Sequence, residues 1–319
     1  MGSYIIRRTI QAIPILFGVA IVSFAIVQLS PGSPIDRFRG ANVKPETLAN
    51  LSRLYGLDQP IPQQFVSWIT TFLQVWRKEA WGFSLVDGRP VRDVIFSRMP
   101  ATLLLGGVAL ALTIVVAVPI GILAAVKQYS WADKIITTFA TVGYSIPSFL
   151  LGIYLLYLGG VVLHAFPLFG MRSLVGGGSP LDIAHHMVLP VLSLAIQQIA
   201  GWSRYVRAKM LEVLNQDYVR TAKAKGLSSN RVTYKHALRN ALIPVITLFG
   251  LTLPGLLSGA VITETIFSWP GLGQLGVIAV AQRDYPLVLA FVMLGGFGVV
   301  AGNLLADVLY GVADPRIKY

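Results

Sequence analysis

Six stretches of this chain that carry no Asp, Glu, Lys or Arg read as spans: residues 9–35, 99–126, 135–171, 187–203, 240–263 and 285–306. A bilayer core takes roughly 17–25 residues of helix, and every stretch reaches that length. In hydrocarbon each backbone N–H and C=O must find its partner within the chain, so separate apolar runs of this length can only be helices. The expectation is an all-α membrane protein with six transmembrane helices. Hydrophobic residues make up 55% of the chain and charged residues 13%, too few to coat a soluble protein of 319 residues. The shortest stretch, 187–203, is lengthened by Arg204, whose stem can lie along a span while its head reaches water. The first stretch lacks a small-residue cleavage site and is read as a retained span, not a signal peptide.

Lys and Arg set the orientation. With both termini on one side, that side holds fifteen of them, nine between Arg204 and Arg239, against Arg172 and Arg283 on the other. Segment 31–98 is left out of the comparison, because long translocated loops escape the positive-inside rule. Both termini and loop 204–239 are therefore expected in the cytoplasm. The net charge of +12 reflects topology. No basic patch interleaved with aromatics sits on a soluble domain, so nucleic acid is not a partner; membrane lipid is. The organisation that follows is a cytoplasmic N-terminus and first span (1–30), an external segment (31–98) and a five-span core (99–319).

The densest positive patch lies at 217–244. Leu211, Leu214, Tyr218 and Ala222 recur at helical spacing, so one helix is expected to enter the patch with that face apolar. Gly226 stops it, as a glycine in the left-handed region does, and Ser228 or Ser229 can cap a second helix through Val232 and Leu238. Two readings stand: a basic loop that only fixes topology, or a helix–turn–helix presented for docking.

In segment 31–98, Pro45 opens a helix that Gly56 ends, and Pro60 and Pro62 open another with Phe65, Ile69, Phe72 and Trp76 on one face. Asp87-Gly88 reads as a turn, and 91–98 as an amphipathic lead into the second span. The segment is either a cap over the outer span ends or a partner-binding surface. In the third span, Pro147 interrupts the helix and frees a carbonyl that Ser145 or Ser148 can satisfy. Gln197 and Gln198 in the fourth are costly in lipid and read as interhelical glue or as the wall of a wet path. Gly255 with Gly259, and Gly298 with Gly302, are spaced for close helix contact. His185 and His186 are read as having no carboxylate at ligand spacing, so no metal site is expected. The run 264–273 suits a short interfacial element, and Asp307 sits at the inner end of the last span.

The chain has no cysteine and no Gly-Lys dipeptide, so thiol chemistry and a phosphate-binding loop of that type are excluded. Neither a Ser–His nor a paired-Asp set is evident within the spans, which argues against an intramembrane enzyme. Ion-coupled carriers place ionisable groups at mid-membrane, and apart from Asp307 at one edge the six stretches hold none. A transporter without coupling chemistry must borrow its energy. A channel subunit is the alternative class.

Residues 217–244, 264–273, Arg283-Asp284-Tyr285-Pro286 and the tail with Asp314-Pro315-Arg316 resemble the permease subunits of ATP-binding-cassette importers of the dipeptide/oligopeptide/nickel family, on the side of its first permease. Pro31-Gly32-Ser33-Pro34, Gly56-Leu57-Asp58 and Pro100-Ala101-Thr102-Leu103 extend the resemblance along nearly the whole chain. Arg220-Thr221-Ala222 and Gly226 stand where permeases in general carry Glu-Ala-Ala and Gly, and Ser33 stands where an Asp is common. The resemblance implies a six-span type I importer fold that is not itself an enzyme. It binds no cofactor; ATP and Mg belong to two partner ATPase subunits. A second permease and an external substrate-binding protein complete the assembly. It also implies a coupling helix that docks on an ATPase subunit through Asp217, Tyr218, Arg220, Thr221, Ala222, Lys223, Lys225 and Gly226. Tyr144, Ser145, Pro147, Gln197, Gln198 and Glu264 are candidates for the translocation path or gate. The expected substrate is a peptide, with nickel, glutathione or oligosaccharide as alternatives, and the expected location is a prokaryotic inner membrane.

Overall fold

The computed structural model describes residues 2–29, 46, 50, 52–53, 56–228, 231, 245, 248–250, 252, 255 and 260–313. Regular structure among them is helical. In chain order the helices are α1 (Gly2–Leu29), α2 (Ile61–Phe72), α3 (Val91–Val126), α4 (Trp131–Ser145), α5 (Ser148–Leu155), α6 (Pro180–Leu214), α7 (Asp217–Ala224), α8 (Val261–Ile266), α9 (Leu272–Ala281) and α10 (Tyr285–Ala313). A π-helical turn, Leu156–Val162, continues α5. Four helices (α1, α3, α6, α10) are long and apolar enough to cross a membrane, and α4 with α5 and its π-turn makes a fifth span bent by 101°. The remaining predicted span, 240–263, falls mostly outside the described residues.

Lipid is as apolar as leucine, so what holds such helices together is close packing of small residues. Helices α3 and α6 cross at Gly121, where an added Cβ would lie 2.7 Å from the carbonyl oxygen of Ser203. Around that point Leu110, Ala117 and Ile122 of α3 pack on Trp202, Val206 and Met210 of α6. Gly298 and Gly302 are buried as their spacing predicts, but Gly255 is exposed, and Gly259 lies outside the described residues. The close approach in that region is made by Gly250, whose Cβ would meet that of Ala306 at 2.2 Å. Helix α1 lies against α10 and turns Ile6, Ile10 and Ile13 outward, as a lipid-facing helix does. Arg8 and Asp307 pair at 3.2 Å, so the first and last spans begin and end on one side of the bundle.

The described part of segment 31–98 packs over one end of that bundle. Helix α2 opens at Pro60 as expected, but it ends at Phe72, and Trp76 is 75% exposed. Leu73 and Gln74 bond back to the carbonyls of Ile69 and Thr71 and close the helix before Trp76 can join its face. Trp68 takes that place: its ring stacks on Phe24 of α1 at 5.6 Å, and Phe72 stacks on Trp81 at 5.2 Å. Trp81 in turn stacks on Phe96 of α3, so one aromatic row ties three elements together. Gly88, at φ +70°, completes the turn predicted at Asp87-Gly88. The predicted helix from Pro45 falls largely outside the described residues; Gly56 at its end has φ +64° and bonds to Arg53, a glycine stop.

Candidate functional site

Helix α7 carries the residues expected at the docking surface. Helix α6 ends at Leu214, where Asn215 Nδ2 donates to the Leu211 carbonyl at 2.9 Å. The chain turns at Gln216, whose carbonyl accepts from the amides of Val219 and Arg220, and α7 begins. The single helix predicted through Leu211, Leu214, Tyr218 and Ala222 is thus two helices, and the break changes the register. Val219 and Ala222 form the buried face, packed with Leu214 and Leu227, while Tyr218 is 43% exposed. Asp217 and Arg220, 3.8 Å apart, point into solvent with side chains 99% and 71% exposed. Thr221 and Lys225 are exposed as well; the side chain of Lys223 lies outside the described residues.

Gly226 ends the helix at φ +79°. Beyond it, Leu227 N–H reaches back to the Ala222 carbonyl at 3.4 Å, and the Leu227 side chain packs on the Val219/Ala222 cluster. This bond and apolar contact are those of a Schellman cap, which needs a residue free to adopt positive φ. The second helix expected after Ser228 lies outside the described residues. Helix α7 therefore stands as a short rod clamped at both ends, its polar face outward.

At the opposite end of the bundle the run 264–273 folds into a hairpin of α8 and α9. Glu264 is fully buried. One carboxylate oxygen accepts from Thr102 Oγ1 at 2.9 Å, the other from the Gln274 amide at 3.0 Å. Thr102 in turn accepts from the Leu272 amide at 2.7 Å, so two orphan donors at the start of α9 are satisfied by one carboxylate–hydroxyl pair. Trp269, also fully buried, donates from its indole to the Ala101 carbonyl at 2.9 Å. Two glycines make room: a Cβ on Gly271 would lie 2.4 Å from the Glu264 carboxylate, and one on Gly273 would lie 2.6 Å from Val261 Cα. Residues 100–103 and 264–273 are thus two halves of one latch, with Glu264 sealed inside it.

A family model for the inner-membrane component of binding-protein-dependent transport systems matches residues 117–319, and its N-terminal companion matches residues 1–106. The chain belongs to the binding-protein-dependent transport permeases. Over the full length of both chains it is 43% identical to the oligopeptide transport system permease protein AppB of Bacillus subtilis. It is 39% identical to the di/tripeptide transport system permease protein DppB of Pseudomonas aeruginosa, covering 100% of this chain and 99% of that one. The glutathione transport system permease protein GsiC of Shigella flexneri is 37% identical, again over both whole chains. Among solved structures, an inward-facing form of the MetNI methionine ABC transporter matches with a TM-score of 0.54 at 16% identity, over 70% of this chain and 98% of that chain. That likeness shows the fold, that of a type I importer permease. The protein is a multi-pass transport subunit, not an enzyme.

In the permease the remaining candidates gather about the broken span. Helix α4 stops at Ser145, and Pro147 caps α5 after the 101° bend. Gln197 Nε2 of α6 donates to the Ile146 carbonyl at the break, while Ser145 donates to Thr141. The Ile146 carbonyl at the break is therefore met from the neighbouring helix by an amide, which ties Gln197 to the bend. Its neighbour Gln198 faces a cavity of about 330 Å³ shared with Thr102 and Thr252. Tyr144 is 63% exposed, with Arg204 over its ring at 5.9 Å; Ser145 and Pro147 are exposed beside it.

Asp182 stands one turn before His186 and approaches its ring at 3.4 Å, a pairing absent from the sequence reading. It is committed to the turn before α6, accepting from Ser173 and Gly178, and no group of three His, Asp or Glu able to hold a metal occurs among the described residues. A larger omission is the bidentate pair of Arg207 with Asp133, at 2.6 and 2.8 Å. Asp133 is buried at the first turn of α4 and also accepts from the Tyr129 amide and Thr137. The one available signal was a lone carboxylate at the inner end of a span opposite a run of arginines.

Proposed function

We propose that this permease imports peptides by alternating access, driven by two partner ATPase subunits that bind ATP and Mg, and lines the path together with a second, similar permease. The observation that carries the reading is α7: an eight-residue helix, fixed underneath by Val219 and Ala222, that presents Asp217, Arg220 and Thr221 outward. A helix so placed can be gripped by a soluble subunit and can pass displacement into α6, which runs without a break from Pro180 to Leu214. The fifteen-to-two bias of Lys and Arg supports a cytoplasmic face for α7 and both termini, in a prokaryotic inner membrane. On the other face, the cap that includes α2 is where an external binding protein would deliver substrate.

The exposed hydroxyl and aromatic groups about the kink, Tyr144 and Ser145 with Pro147, form the candidate path wall, and Gln198 faces the adjoining cavity. Peptides are favoured as substrate because the relatives at 43% and 39% identity carry oligopeptide and di/tripeptide names. Glutathione, itself a tripeptide, enters through the relative at 37%. The test is uptake into proteoliposomes holding the assembled complex and its binding protein. Labelled di- to pentapeptides and glutathione are offered with and without ATP. ATP-dependent accumulation of peptides supports the reading; accumulation of none of them, or accumulation without ATP, overturns it.

A further inference from the structure

Between α1 and α10 runs a groove of about 360 Å³ walled by Gly18, Val19, Val22 and Val292. The one hydroxyl lining it, that of Ser23, is turned onto its own helix and donates to the carbonyls of Val19 and Ala20, so the groove offers only hydrocarbon. Val27 lines this groove and also a second cavity, of about 580 Å³, under the external cap. There the apolar wall continues through Phe24 and Leu289, then gives way to Trp68, Trp81, Thr71 and Glu79. Among the described residues Glu79 is the one charged group lining either space, and no Lys or Arg lines them. A dry groove at span depth thus adjoins, across Val27, an aromatic chamber with one carboxylate, at the level where tryptophans mark the membrane interface.

We propose that these adjoining spaces hold one glycerophospholipid with a primary ammonium headgroup. An acyl chain fits the groove between α1 and α10, the ammonium meets Glu79 beside the indoles of Trp68 and Trp81, and the cap closes over the headgroup. The charge of the lining decides the class. An anionic headgroup would find a carboxylate and no cation, whereas a zwitterionic one places its positive end where a carboxylate and two indoles converge. The lipid then acts as a wedge between the first span, the last span and the cap.

The test uses the full-length chain in nanodiscs of equimolar phosphatidylethanolamine and phosphatidylglycerol, followed by native mass spectrometry of retained lipid. One phosphatidylethanolamine per chain is expected, in preference to phosphatidylglycerol. Gly18→Leu fills the groove: the Cβ position of Gly18 has nothing within 4 Å, so the helix tolerates it while an isobutyl group displaces acyl methylenes. Each buried methylene is worth roughly fourfold in binding, so retention should fall by about tenfold. Glu79→Gln, at an exposed position that tolerates change, should keep a lipid bound and lose the headgroup preference. Equal retention of both lipids by the unaltered chain overturns the proposal. So does unchanged retention by Gly18→Leu, which would assign the lipid to the general annulus.

Discussion

Replacing Gly226 by valine isolates the turn that ends α7. At φ +79° this residue lies in the left-handed region, where an L side chain sets Cβ against the following carbonyl at a cost of about 1–2 kcal/mol. No atom lies within 4 Å of its Cβ position, so the cost comes from the backbone alone and not from a clash. That sum corresponds to a factor of roughly 5–30 in an equilibrium. What the chain gives up to escape the strain is the bond from Leu227 to Ala222 and the packing of Leu227 on Val219, which together fix the angle of α7. None of these groups touches the spans beyond Leu214. Gly226→Val should therefore insert and purify like the unaltered protein. It should co-purify less ATPase subunit, or hydrolyse roughly 5–30 times more ATP per substrate taken up in proteoliposomes. Gly226→Asn is the control, because asparagine tolerates positive φ and should retain most of the coupling. If the valine variant assembles fully and transports at the normal ratio, the turn does not hold a coupling element. If asparagine loses as much as valine, contact with the partner and not backbone strain is responsible.

Three further outcomes follow from the geometry. Arg207→Ala leaves the buried Asp133 carboxylate without its cation; losing one partner of a buried pair costs about 3–5 kcal/mol, and the 25% exposure of Arg207 places this one near about 3. Thermal unfolding in detergent should show the loss, and the double replacement Asp133→Leu with Arg207→Leu should recover part of it. Gly271→Ala sets a methyl 2.4 Å from the Glu264 carboxylate, an overpacking worth about 1–3 kcal/mol, and should lower the unfolding temperature more than Gly107→Ala, where the space is open. Cysteines placed at Ser52 and Ser228 should label from opposite sides of the membrane; labelling of both by an impermeant reagent from outside would contradict the topology read from Lys and Arg.

What was legible in the sequence is what local chemistry determines. The absence of charge over 99–126 set the second span, Pro147 set the break, and Gly226 set the turn, because each acts on its own backbone. Contacts between distant segments were not legible. Glu264 meets Thr102 across 162 positions, and nothing in either motif names the other, so the contact by which Glu264 helps cap α9 could not be read. Arg207 meets Asp133 across 74 positions, and the arginine read as one more topological charge. Helical spacing failed where two or three residues broke a helix. Asn215 and Gln216 shift the register so that Val219 and not Tyr218 turns inward, and the stop at Phe72 takes Trp76 off the face of α2.

The contacts of the broken span divide into two sets that meet at Pro147. Helix α4 is bound to α6 near each of its ends, by Asp133 with Arg207 at its start and by the Ile146 carbonyl with Gln197 just past its last residue. Gly143 packs on Ile196 and Ala200 between those points. The stretch of α6 from Gln197 to Leu214 and α4 are therefore tied together, and α7 is seated on the end of that stretch through Leu214. Helix α5 also lies on α6, with Gly152 beside Ser193, and it reaches a further element. Gly152 approaches Ile266 and Phe267 of the outer hairpin, and that hairpin is latched to α3 through Glu264, Thr102 and Trp269. On the proposed function, a displacement arriving at α7 would reach Tyr144 through the Leu214 contact, packed helix and ion pair, and would then meet the proline at the break. On that reading the kink, with the exposed groups of Tyr144 and Ser145 beside it, is the candidate place for the wall of a path to open and close.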